Sequence, residues 1–532
     1  MNLSNEYLRE YSFYIQNECL PNGWNVVSLS QVSHVITDGT HKTPKYLKSG
    51  IRFISTKNIK PFMPINWDSY ERYISFEEHE QLIKRCCPKY DDVVFPRIGT
   101  LGYAKRIDFF EEVSLFVGLG LIKPIKECVL PKYLELYMNT PYISKLSVDK
   151  ANGSGRMTLP LEESRRFPIP IPPFAEQHRI VAKIEELFSE LDKGIENLKT
   201  AHAQLKVYRQ ALLKHAFEGK LTAQWREHNK DKLETSSALQ ERIQTERAAR
   251  YQQQLTDWQA AGQPGNKPKA PKPLPPLTNE ELAELPQGWI RLCVENLCDI
   301  EDGDRGEHYP TKNDFLDNGY CLFLNAKNVT KRGFAFHELS FISQKKNLEL
   351  RKGKLKRGDI VFTSRGTLGN IAHYDESINY EHIRINSGMF ILRNYDAALT
   401  PDFLYYHLNS PIITSQIETL QSGTAQPQLP IREFKSFWFV TPSKLEQEQI
   451  VQELESKLSE VDQLEQTIST VLQQSEALRQ SVLKKAFSGT LVTQDANDEP
   501  ASVLLARIKA EIATKPANKR LAKDYIWLKM RY

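Results

Sequence analysis

Two clusters of polar and basic residues, each behind an Asp-Gly pair, are the groups in this chain best placed to do chemistry. They comprise Asp38-Gly39 with Thr40, His41 and Lys42, and Asp302-Gly303 with Arg305, His308 and Lys312. Arg and Lys side chains are the types that bind phosphates and guanine. Asp-Gly pairs are also commonly simple turns. We do not expect His41 to be a metal ligand or a catalytic base, because no partner for it recurs in the second half.

The motifs that would supply catalysis are missing from the sequence. It contains no GxxxxGK[ST] phosphate loop, no GxGxxG after a strand, no HExxH and no paired Cys/His set. Residues 139–142 (NTPY) superficially resemble the NPPY loop of amino-methyltransferases, but the second proline is misplaced and the later copy reads NSPI. Residues 218–220 (EGK) resemble part of a nuclease motif but are predicted to be a helix cap. We therefore expect no catalytic residue, bound metal or cofactor in this chain.

The composition indicates several domains without a strong charge bias. At roughly 100–200 residues per domain, 532 residues predict more than one domain. The net charge of +4 is small for this length, so any basic surface must be local. No apolar run approaches 18 residues, and residues 1–18 lack a signal-peptide core, so we expect no contact with a membrane. The seven cysteines form no CxxC pair, which favours reduced thiols in the cytoplasm.

The chain is an internal repeat. The matching landmarks are LPNGW (20–24) with LPQGW (285–289), DVVFPRIGTLG (92–102) with DIVFTSRGTLG (359–369), and AFEGKL (216–221) with AFSGTL (486–491). The offset between the copies rises from 265 to 270 and then stays constant. One fold is therefore used twice, and its variable surface is expected between the landmarks.

Each copy ends in a predicted long helix with an apolar heptad seam. The first seam comprises Ile184, Leu187, Leu191, Leu198, Leu205, Tyr208 and Leu212, with Gly194 and Ala201 at its remaining positions; the second comprises Leu454, Val461, Leu464, Ile468, Val471, Leu478 and Val482, interrupted by Lys457 and Ser475. Pro172-Pro173 and a capping box, Ser443-x-x-Glu446, mark the helix starts, and Gly219 and Gly489 mark the ends. Each helix would be about 66 Å long at 1.5 Å per residue.

A narrow seam requires one partner helix, and the other copy is the obvious one. Antiparallel pairing would give the chain a pseudo-twofold axis, whereas parallel pairing would place both domains at the same end. Each helix could also pack on its own domain, but about 44 residues greatly outreach a domain of about 150 residues. The residues alone leave the direction of pairing open.

The halves are joined by a polar connector. Its first part is helix-prone, whereas residues 262–277 are rich in Pro and Lys and are predicted to be an extended, solvated strap. The strap could be a plain spacer or could touch DNA or a partner. A shorter repeated segment follows each long helix: ALQERIQTE (238–246) after the first and VLLARIKAE (503–511) after the second.

These motifs together resemble the specificity (S, HsdS) subunit of type I restriction-modification systems. The resemblance rests on DGTHKTPKY (38–46), DGDRGEHYP (302–310), GTLG in both halves, PPFAEQHRIV (172–181), AFEGKLTAQWR (216–226) and AFSGTLVTQDANDEPASVLLARI (486–508). It extends from about residue 20 to 515, and the ending DYIWLKMRY (524–532) lies outside it.

The resemblance implies an α+β fold, with two mixed α/β target recognition domains in tandem repeat. The two long helices would form an antiparallel coiled coil about a pseudo-twofold axis. The expected boundaries are an amino-terminal extension (1–19), the first recognition domain (20–172), the first long helix (173–221), the polar helix and connector (222–284), the second recognition domain (285–442), the second long helix (443–491), and a carboxy-terminal polar helix and tail (492–532).

The resemblance also implies a non-catalytic subunit that reads a split, asymmetric site in double-stranded DNA. Each domain would read one half, and the helices would set the gap and bind two modification (methyltransferase) subunits. S-adenosylmethionine would belong to those partners, and ATP and Mg²⁺ to the restriction (motor) subunits. The alternatives are a coiled-coil scaffold whose heads bind proteins and a single-chain DNA methyltransferase or nuclease.

Loops after strands are the expected carriers of DNA contacts. They contribute Thr40, His41, Lys42, Lys57, Asn58, Arg97, Thr100, Lys105, Arg106 and Arg156 in the first domain, and Arg305, His308, Lys312, Lys327, Asn328, Arg365, Thr367, Gln426 and Gln428 in the second. Arg365 is expected to match Arg97, and the two glutamines to match Arg156. GTLG could instead only close a hairpin, and Lys57-Asn58 could only cap a strand.

Overall fold

The computed structural model describes residues 21–68, 70–153, 155–263, 266–395, 398–420 and 428–514. It contains two compact units, one with the described residues up to Lys199 and from Ser469, the other spanning Thr200–Ile468. Both boundaries fall inside long helices. Each unit therefore combines a globular domain with the first part of one long helix and the last part of the other.

The first unit contains three small sheets. Its strands are β1 (Asn25–Ser28), β2 (Ser33–Asp38), β3 (Ile51–Ile54), β4 (Tyr73–Ile74), β5 (Val93–Pro96), β6 (Lys105–Arg106), β7 (Val113–Leu115), β8 (Leu119–Pro124) and β9 (Pro168–Ile171). The sheet orders are β2-β8-β5-β6, β4-β3-β7 and β1-β9. All pairs are antiparallel except β3 with β7. Strand β5 is buried along its whole length, as its run of apolar residues requires.

The second unit repeats this topology. Its strands are β10 (Ile290–Cys293), β11 (Cys298–Asp302), β12 (Cys321–Leu324), β13 (Val329–Thr330), β14 (Gly333–Phe334), β15 (Phe341–Ile342), β16 (Ile360–Thr363), β17 (Ile371–His373), β18 (Ile383–Ile385), β19 (Met389–Asn394) and β20 (Trp438–Thr441). The orders β11-β19-β16-β17, β15-β12-β18 and β10-β20 correspond one to one with those of the first unit, and β13-β14 is an additional hairpin. The α+β tandem repeat expected from the sequence is confirmed.

The helices of the two globular domains, and the long helix after each domain, occur in the same order in both halves. They are α1 (Phe76–Leu82), α2 (Pro131–Met138), α3 (Pro141–Asp149), α4 (Leu161–Arg165), α5 (Phe174–Phe217), α6 (Ala223–His228), α7 (Ser236–Ala260), α8 (Asn279–Glu284), α9 (Gln344–Glu349), α10 (Pro401–Leu408), α11 (Pro411–Leu420), α12 (Ile431–Phe434), α13 (Lys444–Phe487) and α14 (Ala501–Thr514). The NTPY stretch is the junction between α2 and α3, where the Thr140 hydroxyl accepts the Ile143 amide at 3.4 Å. It is a structural turn, as predicted.

The long helices α5 and α13 pack antiparallel within each unit. In the first unit Asp192 of α5 pairs with Arg479 of α13, and in the second unit Arg209 of α5 pairs with Asp462 of α13. The residue later in α5 (Arg209) pairs with the residue earlier in α13 (Asp462), so the two helices run in opposite directions. Phe487 packs on Tyr133 and Tyr137 in the first unit. The end of each long helix therefore completes the core of the domain in its own unit.

The heptad prediction was right for one seam position and wrong by one residue for the other. Ile184, Leu191, Leu198, Leu205 and Leu212 are buried or half-buried, as are Phe188, Ile195, His202 and Arg209. Of the other predicted seam residues, Leu187 and Ala201 are half-buried, whereas Gly194 and Tyr208 are exposed. In α13, Leu464 and Leu478 are more than half exposed, while Ser475 and Arg479 are buried. Charged residues can occupy the seam because carboxylates of the facing helix pair with them. Apolar periodicity alone therefore placed this second set of seam positions one residue too early.

Both long helices begin with a buried Glu-Gln pair. Gln177 donates to Cys128 O at 2.9 Å and accepts from Leu130 N at 2.9 Å, and Gln447 makes the same two bonds with Ala398 O and Thr400 N. The predicted capping box at Ser443 is wrong. The Glu446 carboxylate turns away from it to accept from Trp289, Thr222 and Arg226.

The helix ends follow the prediction. Gly219 and Gly489 have φ values of +70° and +74°, which favour glycine. A Cβ on Gly219 would lie 2.4 Å from Pro286, and one on Gly489 would lie 2.3 Å from Pro21. The EGK stretch is thus a helix cap, as expected, and each cap packs on the proline of an LPxGW motif in its own unit.

The connector is less solvated than predicted. Helix α7 buries Leu239 and Ile243 in the core of the second unit, and Leu274 and Leu277 of the Pro/Lys-rich strap also pack there. Gln240 donates to Pro275 O at 2.6 Å, which ties the strap to α7. In the first unit, α14 packs in the corresponding way through Leu504 and Ile508.

Candidate nucleic-acid interface

The Asp-Gly pairs mark places where two backbone segments approach closely. A Cβ on Gly39 would lie 2.2 Å from Leu115 O, and one on Gly303 would lie 2.1 Å from Asn386 O. Gly39 N also donates to Leu119 O at 3.1 Å. The glycines therefore hold the polar loops that follow them against the loop between β7 and β8, or between β18 and β19.

Asp38 organises the loop of the first domain. Its carboxylate is almost completely buried and accepts from His41 at 3.0 Å, from Arg85 and from Arg97. Burial lowers the pKa of the Arg97 guanidinium, and the Asp38 carboxylate opposes that shift. Arg97 also donates to Leu159 O at 3.1 Å. Of these three side chains, His41 and Arg85 remain exposed, whereas Arg97 is held within the fold by Asp38 and Leu159 O.

The second domain builds its loop differently. Arg305 is exposed and lies 3.1 Å from Asp302 and 3.1 Å from Ser387 O. The nearby Asp304 carboxylate accepts from the amides of Gly306 and Arg351, which lowers its pKa despite partial burial. Comparing the two halves of the sequence did not identify Asp304 or Arg85, because neither residue recurs in the other half.

The GTLG turns correspond in position, but the arginines before them do not. Leu159 N donates to Arg97 O, and Leu429 N donates to Ser364 O, so Ser364 is the counterpart of Arg97. Ile98 forms a bridge with Thr158, and Arg365 forms the matching bridge with Gln428. The expected equivalence of Arg97 and Arg365 is therefore wrong. The second domain places an exposed arginine where the first has a half-buried isoleucine.

The Lys-Asn pairs divide into one exposed and one buried residue. Asn58 Oδ1 accepts from Ser55 N at 2.9 Å, and its amide donates to Asn66 O and Tyr70 O at 3.0 Å each. Asn328 makes the corresponding bonds in the second domain. These asparagines hold the turn together, as the strand-capping alternative predicts, so their side chains cannot face DNA. Lys57 and Lys327 remain exposed.

Two further candidates are engaged within the first domain. Lys105 is buried and lies 3.3 Å from Asp108 and 3.6 Å from Glu135. Arg106 pairs with Asp91 at 2.8 Å, which supports its charged form. Neither side chain is free to contact DNA in this arrangement. The buried Lys105 in particular replaces a predicted DNA contact with an internal ion pair.

The other candidates form an exposed rim around the loops. Apart from Thr40, which is half-buried, its members are exposed: Lys42, Thr100 and Arg156 in the first domain, and His308, Lys312, Thr367 and Gln428 in the second. Thr367 lies against the turn of Lys327, with its hydroxyl 3.5 Å from Ala326 O. Gln426 lies outside the described residues.

The described part of the chain shows no other chemical centre. It contains no group of three or more His, Cys, Asp or Glu side chains placed to hold a metal ion. None of its helices is both long enough and apolar enough to cross a membrane. Burial raises the pKa of the Cys86 and Cys128 thiols to about 12, so both are inert at neutral pH.

Comparisons with known proteins agree on one family. The chain is 25% identical over 367 residues to the EcoBI specificity subunit of Escherichia coli, a match that covers 67% of each chain. It is 23% identical to the EcoKI specificity subunit of E. coli K12 and 22% identical to the StySPI specificity subunit of Salmonella potsdam. Each of these two matches covers 94% of this chain and 98% of the relative.

A solved structure supports the fold. A chain from a study of assembly and conformational transition in the type I R-M system aligns with a TM-score of 0.59 at 18% identity, covering 89% of this chain and all of that one. Residues 21–200 and 286–474 each match the family described as "Type I restriction modification DNA specificity domain". The two matches include both globular domains and most of both long helices. The chain therefore belongs to the type I restriction-modification DNA specificity family and carries its domain twice.

Proposed function

We propose that this protein gives a type I restriction-modification complex its DNA sequence specificity, each domain reading one half of a bipartite, asymmetric site. The observation that carries this proposal is that two domains of one topology present different side chains at equivalent loop positions. The exposed Arg365 occupies the position of the half-buried Ile98. A shared fold with different exposed side chains suits two readers of different sequences.

The long helices suit the role of a ruler between the half-sites. Each contains 44 residues, or about 66 Å at 1.5 Å per residue. That length corresponds to about two turns of B-DNA at roughly 34 Å each. The charge pairs Arg209–Asp462 and Arg479–Asp192 hold the register of the helices within their units. A fixed register would keep the gap in the recognised site constant.

The same helices are the proposed docking surface for two modification subunits. Val207 and Tyr208 are 70% and 48% exposed in the second unit, and Leu478 is 54% exposed in the first. Exposed apolar side chains along a helix favour a protein partner. S-adenosylmethionine would be bound by the modification subunits, and ATP and Mg²⁺ by the restriction subunits, while this chain contributes recognition in the cytoplasm without catalysing a step.

Sequencing of methylated DNA tests this proposal directly. Cells or reactions that contain this chain and its modification subunit should methylate adenine at one bipartite site, and either component alone should not. Methylation by this chain alone would instead support a single-chain methyltransferase. Absence of DNA binding with and without the partner would support a coiled-coil scaffold.

A further inference from the structure

The first domain carries a row of cations stacked on aromatic rings. Arg72 Cζ lies 4.2 Å from the ring centroid of Tyr46 and 4.3 Å from that of Tyr70. Lys57 Nζ lies 4.3 Å from the centroid of the same Tyr70. A parallel stack places Arg52 Cζ 4.6 Å from the ring centroid of Trp67. We call these six residues the cation–aromatic ladder.

Backbone bonds hold the ladder in place. The buried Asn58 ties the turn of Lys57 to Tyr70 O. Strands β3 and β4 join Arg52 to Tyr73, and Phe53 N donates to Arg72 O at 2.8 Å. Arg52, Trp67, Tyr70 and Arg72 of the ladder line one small concavity of the surface, together with Asn58 and Glu71. The cations are therefore pre-organised, which reduces the entropy lost when they bind a ligand.

The ladder keeps its positive charge. Within the described residues, none of its three cations has a carboxylate at ion-pair distance. Glu71, the nearest acid in sequence, accepts a hydrogen bond from the Tyr73 hydroxyl. An aromatic ring attracts a cation but does not neutralise it, and a stacked guanidinium keeps its N–H edge free for oxyanions.

The second domain keeps the lysine but lacks both arginines and the tyrosine that joins Arg72 to Lys57. Leu322 replaces Arg52 in the strand pairing, and Ser340 O accepts from Phe323 N as Arg72 O accepts from Phe53 N. Glu338 replaces Tyr70 and pairs with Lys327 at 2.7 Å. The lysine of the second domain is thus neutralised within the protein, whereas Lys57 is not.

The ladder adjoins the polar rim of the first domain. Thr56, next to Lys57, lies 3.5 Å from the Cβ position of Gly118, and Gly118 O accepts from Arg97 N at 2.8 Å. Leu115 O, in the strand before this loop, accepts from Thr40 N at 3.0 Å. The turn that carries Lys57 therefore lies beside the loops proposed to read bases.

We propose that the cation–aromatic ladder binds backbone phosphates of double-stranded DNA beside the half-site of the first domain, and that the second domain makes no equivalent contact. This inference rests on the proposed function. Stacked arginines and a lysine without carboxylate partners suit phosphate oxygens, which carry no sequence information. In this proposal the ladder provides affinity for the first half-site and positions the domain on it, and the exposed rim residues read its bases.

The test is the salt dependence of DNA binding by the complex of the full chain with its modification subunit. R72A, R52A and K57A should each lower the slope of log affinity against log salt by about 1. They should weaken binding to the recognised site and to an unrelated duplex by the same factor, on the order of tenfold or less, without changing the methylated sequence. R72K, which keeps the charge and loses the planar stack, should retain most of the slope.

The second domain provides the matched controls. The double variant K327A/E338Q removes the ion pair without changing the net charge and should leave the slope unchanged, whereas E338Q alone should raise the slope by freeing the lysine. An unchanged slope in folded R72A and K57A complexes that still bind their site would overturn the ladder proposal alone. A loss confined to the recognised site would show base reading instead of phosphate binding and would also overturn it. Absence of sequence-specific binding by the wild-type complex would reject the proposed function itself.

Discussion

Trp289 donates its indole N–H to Glu446 at 2.9 Å, across 157 residues of sequence. Trp24 does the same to Glu176 at 3.0 Å in the first unit. The LPxGW motif therefore binds the carboxylate that opens the long helix of the same unit. The two sites differ in one respect: Thr222 and Arg226 also donate to Glu446, whereas Glu176 Oε1 has no hydrogen-bond partner among the described residues.

This difference predicts unequal effects of one substitution. W24F and W289F remove the same indole donor, and we expect each to cost about 1–3 kcal/mol of unfolding free energy in its own unit. W24F should cost more at neutral pH, because burial already raises the pKa of Glu176 and the variant removes its side-chain donor. Its deficit should shrink as the pH falls and Glu176 becomes protonated. Urea unfolding monitored by hydrogen exchange in each unit measures the unfolding free energy lost in each variant. Equal losses in W24F and W289F at every pH would contradict this prediction.

The seam of the coiled coil predicts a stabilising substitution. Ser475 is buried and lines a groove with Leu191 and Leu198. Its hydroxyl donates to Val471 O of its own helix at 2.8 Å. Leu205 occupies the same heptad position in α5. S475L should therefore stabilise the first unit by about 1–2 kcal/mol through added apolar burial. S475A is the control for loss of the hydroxyl alone. A lower unfolding midpoint for S475L would show that the groove cannot accept the side chain.

The exchanged arginines predict two different mutant phenotypes. R365A removes an exposed side chain next to Gln428 of the rim, and it should weaken DNA binding by roughly 1–3 kcal/mol and relax one base of the methylated site. R97A leaves the buried Asp38 short of a partner and should mainly destabilise the first unit. Methylated-site sequencing and thermal unfolding separate the two. Unchanged affinity and methylated sequence in R365A would remove Arg365 from the proposed reading surface.

The ruler role predicts a change in the gap alone. Inserting one heptad into both long helices, after Leu198 and after Ile468, lengthens each by about 10 Å. The recognised gap should grow by about three base pairs, since B-DNA rises about 3.4 Å per pair, and the half-site bases should stay the same. A seven-residue insertion in the strap near Lys267 should leave the gap unaltered. The same gap in a folded double-insertion variant would argue against the ruler.

His407 predicts acid sensitivity of the second unit. Its ring is fully buried against Phe217 and Phe439, accepts from Val440 N at 3.2 Å, and has a pKa lowered by burial to about 3. In the unfolded chain its pKa is near 6.5, so the unfolded state gains a proton first as the pH falls. Stability should fall by about 1.4 kcal/mol per pH unit below pH 6.5 until the native ring titrates.

The variant H407Q separates this effect from general acid unfolding. It should be less stable than wild type at pH 7, because it loses the aromatic contacts, but should show a shallower loss between pH 6 and pH 4. Urea titrations with hydrogen exchange of residues 398–420 and 438–441 provide the readout. Parallel pH curves for the two proteins would contradict the prediction. The first unit has Tyr137 at the corresponding place, so any acid sensitivity there comes from another group, such as the buried His79, whose pKa is also lowered by burial.

The sequence determined the architecture because its signals are local and repeated. The ordered landmarks gave the tandem repeat, and the 44-residue helices and their glycine caps were predicted within a few residues. Apolar periodicity and cap chemistry depend on neighbours in sequence, so the printed residues contain them. The family resemblance carried by the ordered motifs implied contact with DNA, without showing which side chains were free to make it.

Tertiary structure decided which face of each helix is buried and which loop residues remain available. Arg209 and Arg479 enter the seam because carboxylates of the other long helix meet them, and Asn58 and Lys105 turn inward because distant backbone and acidic groups need partners. The cation–aromatic ladder joins residues from three separate stretches of the first domain. Such pairings depend on contacts between segments far apart in sequence, and periodicity along one segment carries no record of them.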